Sequence, residues 1–267
     1  MSDAPSITDR LFRPGLSLCW RELVRFLRQR NRIIGAFATP IVFWLLIGAG
    51  MGHSFSAGGL PDGTDYMQYF FPGTIVMILL FTAIFSTISI IEDRHEGFLQ
   101  SVLVAPVSRQ AIVLGKLLGG TLLAFGQGVI FLLLAPLIGV RFGWEEFLAA
   151  CAFMLVVSFA LTGLGFCIAW RMSSTQGFHA IMNLFLMPMW FLSGALFPAK
   201  GAMKWVMGVN PLTYGLAGLR RSMYGGVGGG IDLPGLSVCA IVTLLFAVAM
   251  YILASVIARA HAAGDLQ

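Results

Sequence analysis

Six runs of about 20 apolar residues, at 33–52, 69–91, 111–140, 147–170, 178–197 and 237–258, alternate with polar joints along the chain. A helix of that length crosses roughly 30 Å of hydrocarbon, so the pattern predicts an all-α polytopic membrane protein with six transmembrane helices. Ahead of the first run, Leu16, Trp20, Leu23, Val24 and Leu27 recur at helical spacing, with Arg21, Arg25, Arg28 and Arg32 on another face. This predicts an amphipathic helix at the membrane interface, with Pro14 suited to its first turn. Two readings of it stand: an electrostatic anchor to anionic headgroups, and a lever touching a cytoplasmic partner.

Two joints break the pattern. Between the second and third runs stands the acidic insert IEDRHEGFLQSVLVAPVSRQAIVLGK, residues 91–116. Hydrocarbon cannot solvate Glu92, Asp93, Arg94, His95 and Glu96, so the segment is expected in water, as a docking surface. Gly97 and Pro106 bracket about two helical turns whose ridge of Phe98, Leu99, Val102 and Leu103 needs a groove to be stable. The plainer reading is a hairpin turn between spans. Before the last run, residues 198–226 hold too many apolar residues for a free loop and too many breaks for one crossing helix. Short segments at 202–208 and 212–224 predict a re-entrant hairpin, with a surface amphipathic loop as the alternative. Arg220 and Arg221 are expected at the outer headgroup level, and Trp205, Tyr214 and Tyr224 in the interfacial belt.

Composition fits a bilayer solvent: 58% hydrophobic and 11% charged. If the spans alternate, 12 Lys and Arg share the side of the termini and the insert, against Arg141, Lys200, Lys204, Arg220 and Arg221 on the other. Short loops rich in Lys and Arg stay cytoplasmic, which places both termini and the insert inside. The net charge of +5 is then mostly topology, and with no groove-sized basic patch nucleic-acid binding is not indicated. The first run reads as a retained anchor rather than a signal peptide. Cys19, Cys151, Cys167 and Cys239 are scattered, without a CxxC pair, and indicate neither disulfides nor a metal site.

Several chemistries lack their residues. A phosphate-cradling GxxxxGK[ST] loop fails at Gly115–Lys116, which is followed by Leu117 and preceded by Gln110 where the first glycine belongs. HExxH and GxSxG are absent, and no carboxylate sits mid-span as a proton or sodium relay. Gln176, His179 and Asn183 share one face at the start of the fifth span, as the lining of a substrate headgroup's entry path or as helix–helix hydrogen bonding. Gln127 reads as helix glue, and Gly115 and Gly119 allow a close helix contact.

Three segments in order, EDRHEGFLQSVLVAPVSRQAIVLGK, MPMWFLSGALFPAKG and NPLTYGLAGLRRSMYG, resemble the type-2 ABC transporter permeases, in the branch of drug-resistance and lipo-oligosaccharide exporters. The resemblance implies a six-span transmembrane domain over 33–258, after a cytoplasmic segment 1–32 and before a tail 259–267. It implies a half-transporter: a homodimer of permeases with two separate ATPase subunits beneath, in the bacterial inner membrane. ATP and Mg belong to the partner, and this chain binds no cofactor. The family's coupling helix maps to 92–106, with Glu92, Asp93, Arg94, Glu96 and Gly97 matching its pattern and Leu99, Val102, Leu103 and Pro106 completing the segment. One departure is Phe98–Leu99–Gln100, where many members carry Thr-Leu-Glu. The hairpin with Asn210, Pro211, Tyr214 and Arg220 maps to the outer gate. Export of an amphipathic or lipid-linked cargo is the leading expectation, in keeping with 22 Phe and 13 Met. A permease for polysaccharide or lipid-linked glycan stands beside it, as do, from other classes, a membrane-embedded enzyme using Gln176, His179 and Asn183 and a non-transporting scaffold.

Overall fold

The computed structural model describes residues 7–51, 65–105, 107–198, 203–224 and 234–260, with side chains from residue 12 onward. Every regular element among them is helical: α1 (Ile7–Arg28), α2 (Arg30–Met51), α3 (Tyr66–His95), α4 (Phe98–Val104), α5 (Arg109–Leu132), α6 (Trp144–Ala169), α7 (Thr175–Phe191), α8 (Met203–Val209), α9 (Pro211–Met223) and α10 (Leu236–Ala260). Their starts follow local chemistry. Ser108 and Ser174 accept the backbone N–H groups of Ala111 and Gly177, and Asn210 accepts that of Leu212 ahead of Pro211.

The helix α3 is the hub. Its 30 residues span about 45 Å, more than the hydrocarbon requires, and α2, α5, α6, α7 and α9 pack around it. From Tyr69 to Leu80 every residue is buried. Its polar side chains are satisfied where they stand: the Thr74 and Thr87 hydroxyls donate to carbonyls one turn back, and Thr82 donates to Gln127 Oε1 on α5 at 2.6 Å. Gln127 is thus the glue its position suggested.

Among the described residues five helices, α2, α3, α5, α6 and α10, are long and apolar enough to cross a membrane. The fifth expected span is shorter than its apolar run. The helix α7 has 17 residues, about 26 Å, and ends at Phe191. The Leu192 N–H closes onto Pro188 O at 2.8 Å, and Gly194 takes φ +88° in the turn that follows. Beyond it, α8 and α9 form the expected pair of short segments; α8 is largely exposed, whereas α9 is buried against α6 and α10.

The helix α1 lies on α5, and two glycines make the seat. A Cβ at Gly115 would lie 2.7 Å from Gly15 O and Leu18 Cβ, and one at Gly119 2.7 Å from Glu22 Cβ. This is the close contact their spacing announced. Gly15, Leu18, Cys19, Glu22 and Phe26 face α5, while Phe12, Leu16, Trp20 and Leu27 point outward as an apolar stripe fit for the acyl boundary.

Candidate functional site

At the end of the bundle that carries α4, eight charged side chains from four helices meet. Asp93, on the last turn of α3, is fully buried. It accepts a forked pair of bonds from Arg21 at 2.6 and 3.0 Å, and further bonds from Arg25 and Lys116. Lys116 rises from within α5 and also donates to Glu22 Oε1 at 2.7 Å and Ser89 Oγ at 3.2 Å. Glu22 accepts from Arg21 at 3.0 Å, and Arg25 reaches Glu92 at 2.9 Å and Glu96 at 3.2 Å. Arg32 of α2 pairs with Glu92. Four cations face four carboxylates, so the cluster is neutral, which is how so many charges tolerate burial. Burial lowers the Arg21 pKa, but its hydrogen bond to Asp93 and the charges of Asp93, Glu22 and Glu96 carry it above the ordinary guanidinium value.

This cluster corrects two expectations. Glu92 and Asp93 do not stand in water as a docking surface, because Arg21 and Arg25 of α1, Arg32 of α2 and Lys116 of α5 replace their solvation. Arg21 and Arg25, expected on the exposed basic face, turn to α3, whereas Arg13, Arg28 and Arg30 are exposed. Arg94 and His95 are likewise engaged: Arg94 donates to the carbonyls of Trp170 and, at 3.0 Å, Met172, and His95 Nε2 lies 2.5 Å from Ser173 O. These occupy the carbonyls of the turn that joins α6 to α7.

The turn into α4 requires Gly97, whose φ is +74°. Phe98 then lies under the Arg21 guanidinium, 3.6 Å from the ring centroid. The ridge expected to fill a partner's groove is folded inward: Leu99 is 4% exposed, and Phe98, Val102 and Leu103 pack half-buried on the chain's own core. A seven-residue helix is too short to hold itself, so it uses that ridge to stay folded. What it presents outward is Gln100, Ser101 and Val104, the last 87% exposed, beside exposed His95 and Glu96. Pro106 lies outside the described residues. A cleft of about 490 Å³ continues this surface along α1, between Trp20, Arg25, Arg28 and Glu96.

On α7, Gln176 and Asn183 are exposed, and neither makes a side-chain hydrogen bond among the described residues. His179, between them, is half-buried with its ring edge-on to Phe85, centroids 5.6 Å apart. The three share a face, as expected, and that face looks out of the chain.

At the opposite end of the bundle, Arg220 is 3% exposed and turned into the protein. It donates to Tyr69 O at 3.3 Å and Gly194 O at 3.2 Å and stacks 4.3 Å from the Tyr69 ring. Tyr224 also turns inward. Pro72 has no N–H for Gln68 O, and the Tyr224 hydroxyl donates to that carbonyl instead, at 2.6 Å. Tyr66 and Tyr69 donate to Leu196 O and Gly194 O, each at 3.0 Å. Asn210, besides capping α9 at Pro211, donates to Met189 O at 2.6 Å, and Tyr214 donates to Gly208 O at 2.9 Å. Together these bonds fasten α9 to the start of α3 and the turn after α7. Trp205 is 84% exposed.

Glu22 and Lys116 had not been singled out for this site. The sequence carries a signal for both: Glu22 is the single carboxylate among the arginines of 16–32, and Lys116 is a cation two turns inside an apolar helix that needs a partner.

Comparison with known proteins places the chain among membrane permeases. The sequence pattern of the ABC-2 type transporter family matches residues 15–224. Nodulation protein J of Sinorhizobium fredii (strain NBRC 101917 / NGR234) is 26% identical over 80% of this chain and 82% of its own. The daunorubicin resistance ABC transporter permease protein DrrB1 of Streptomyces coeruleorubidus is 24% identical over 80% and 76%. Nodulation protein J of Rhizobium meliloti (strain 1021) is 27% identical over 72% and 74%.

Proposed function

Because the chain belongs to the ABC-2 type transporter family as a multi-pass permease, we propose that it is the membrane half-unit of an exporter driven by a separate ATPase docked at α4. The α4 end faces the cytoplasm, with both termini, in the inner membrane. The observation that carries this reading is the ion cluster on Asp93. It welds α1, α2, α3 and α5 into one body, and Arg21 over Phe98 ties α4 to it. A push on so short a helix would be lost in a soft joint. Here it passes to α3, the hub of the fold, and from there to the helices around it.

ATP and Mg act on the partner. This chain contributes the outward residues of α4, Gln100, Ser101 and Val104, with His95 and Glu96, as contact surface. Glu92, Asp93, Arg94, Gly97, Leu99 and Leu103 hold that surface in place. Two copies pair through faces that include α7, so that Gln176, His179 and Asn183 line the seam along which cargo passes. An exposed amide in hydrocarbon is costly and calls for such a polar neighbour. The buried bonds around Arg220, Asn210 and Tyr214 make α8 and α9 a firm outer rim. The cargo is an amphipathic or lipid-linked molecule, and the drug-resistance permease among the relatives supports the first of these.

Co-purification tests the docking. Val104→Arg with Ser101→Arg should reduce recruited ATPase at least tenfold while the permease still inserts. Full recruitment would place the contact elsewhere.

A further inference from the structure

A groove of about 330 Å³ runs between α5, α6 and α10, lined by Leu114, Leu118, Leu155, Phe159, Val248 and Tyr251 among others. Two wall residues carry a hydroxyl, Thr121 and Tyr251; Thr121 has spent its own on Leu117 O at 2.6 Å, and the atoms that face the groove are apolar. The volume holds roughly ten methylene-sized groups, taking about 30 Å³ for each as for a liquid water.

What covers it is indicated by the end of the groove. On α10, Tyr251, Ser255 and Arg259 follow at i, i+4 and i+8, on one face. Ser255 Oγ is buried and has no hydrogen-bond partner. Arg259 is exposed, and Arg109 of α5 reaches the same place, donating through Nη1 to Ala258 O at 3.2 Å and Arg259 O at 3.1 Å. That leaves most of its five N–H groups for a ligand. No carboxylate of the described residues pairs with either guanidinium. From Tyr251 to Arg259 is about 12 Å along the helix, which carries the face from the acyl region to the headgroup level. The face thus runs from an apolar slot to two neighbouring cations.

We propose that this face binds one phospholipid with an anionic headgroup, an acyl chain in the slot and the phosphate at Arg259 and Arg109. Such a lipid bridges α5 and α10, which touch one another less than either touches α6. The site does not depend on the docking of an ATPase, and α7 has no part in it.

The test uses the full chain in phosphatidylcholine nanodiscs, with phosphatidylglycerol added in steps and retained lipid counted by native mass spectrometry after release. One phosphatidylglycerol per chain should survive where phosphatidylcholine does not. Arg259→Gln should reduce its retention about tenfold, and Val248→Trp, which fills the slot from its exposed edge, should do the same. Glycerol phosphate, the headgroup without chains, should not compete. Equal retention of the two lipids, or phosphatidylglycerol retention unchanged in Arg259→Gln, would overturn the assignment. Competition by glycerol phosphate would do so as well, since the slot would then be idle. Should a variant fail to fold, the comparison of lipids on the unaltered chain still decides.

Discussion

Asp93 is the residue on which the assembly at the α4 end turns, since three cations from two helices converge on its one carboxylate. Asp93→Asn leaves those cations crowded and short of charge. It should lower stability by about 3 kcal/mol, read as thermal unfolding in detergent, and abolish stimulation of the ATPase by the permease. Adding Lys116→Met to it should restore part of the stability and none of the stimulation, because the electrostatic conflict eases while the weld stays broken. Cys19 reports on the same seat. Burial first, and then the charge of Glu22, push its thiol above the ordinary value, so the reactive thiolate is scarce at neutral pH. Gly115→Leu should lift α1 off α5. Labelling of Cys19 by a thiol reagent should then speed up and begin at lower pH, since a thiol released to water regains its lower pKa. Unchanged labelling would mean that α1 stays seated without its glycine.

At the scale of elements, α4 shows what a sequence can and cannot announce. The glycine before it, its length and its amphipathic ridge were all legible, and so were the two short helices before the last span, because each rests on local signals. Which way the ridge points was not, since that is settled by Arg21 and the core of the hub helix, distant in the chain. The same holds for the acidic insert. Glu92 and Asp93 read as solvent-facing because their counter-charges lie at Arg21, Arg25, Arg32 and Lys116, and pairing across that separation leaves no periodic trace. The tyrosine bonds behind Arg220 were hidden for a related reason: they use carbonyls freed by Pro72 and by the turn at Gly194. Gly97→Ala should cost about 1 kcal/mol from its left-handed backbone. Because the strain falls on the joint between α3 and α4, transport should drop more than stability, a split to be measured by export assay beside thermal unfolding.

For the whole molecule, the chain alone is an incomplete device. The hub helix is surrounded, but α7 shows Asn183 and Leu184, and α2 shows Leu45 and Leu46, to whatever lies outside. In a membrane, the leucines can face lipid and the asparagine cannot do so cheaply. Asn183→Cys, in a Cys151→Ser background, should therefore cross-link two copies on mild oxidation, whereas Leu245→Cys on the outer face of α10 should not. Monomer only from Asn183→Cys would remove α7 from the seam. The most direct test of the central claim, that α4 receives the force of a separate ATPase through its exposed face, is site-directed cross-linking in the assembled transporter. Val104→Cys should capture the ATPase and Leu99→Cys, folded inward, should not. Capture from Leu99 in place of Val104, or reaction of Val104→Cys only with reagents confined to the far side of the membrane, would contradict it.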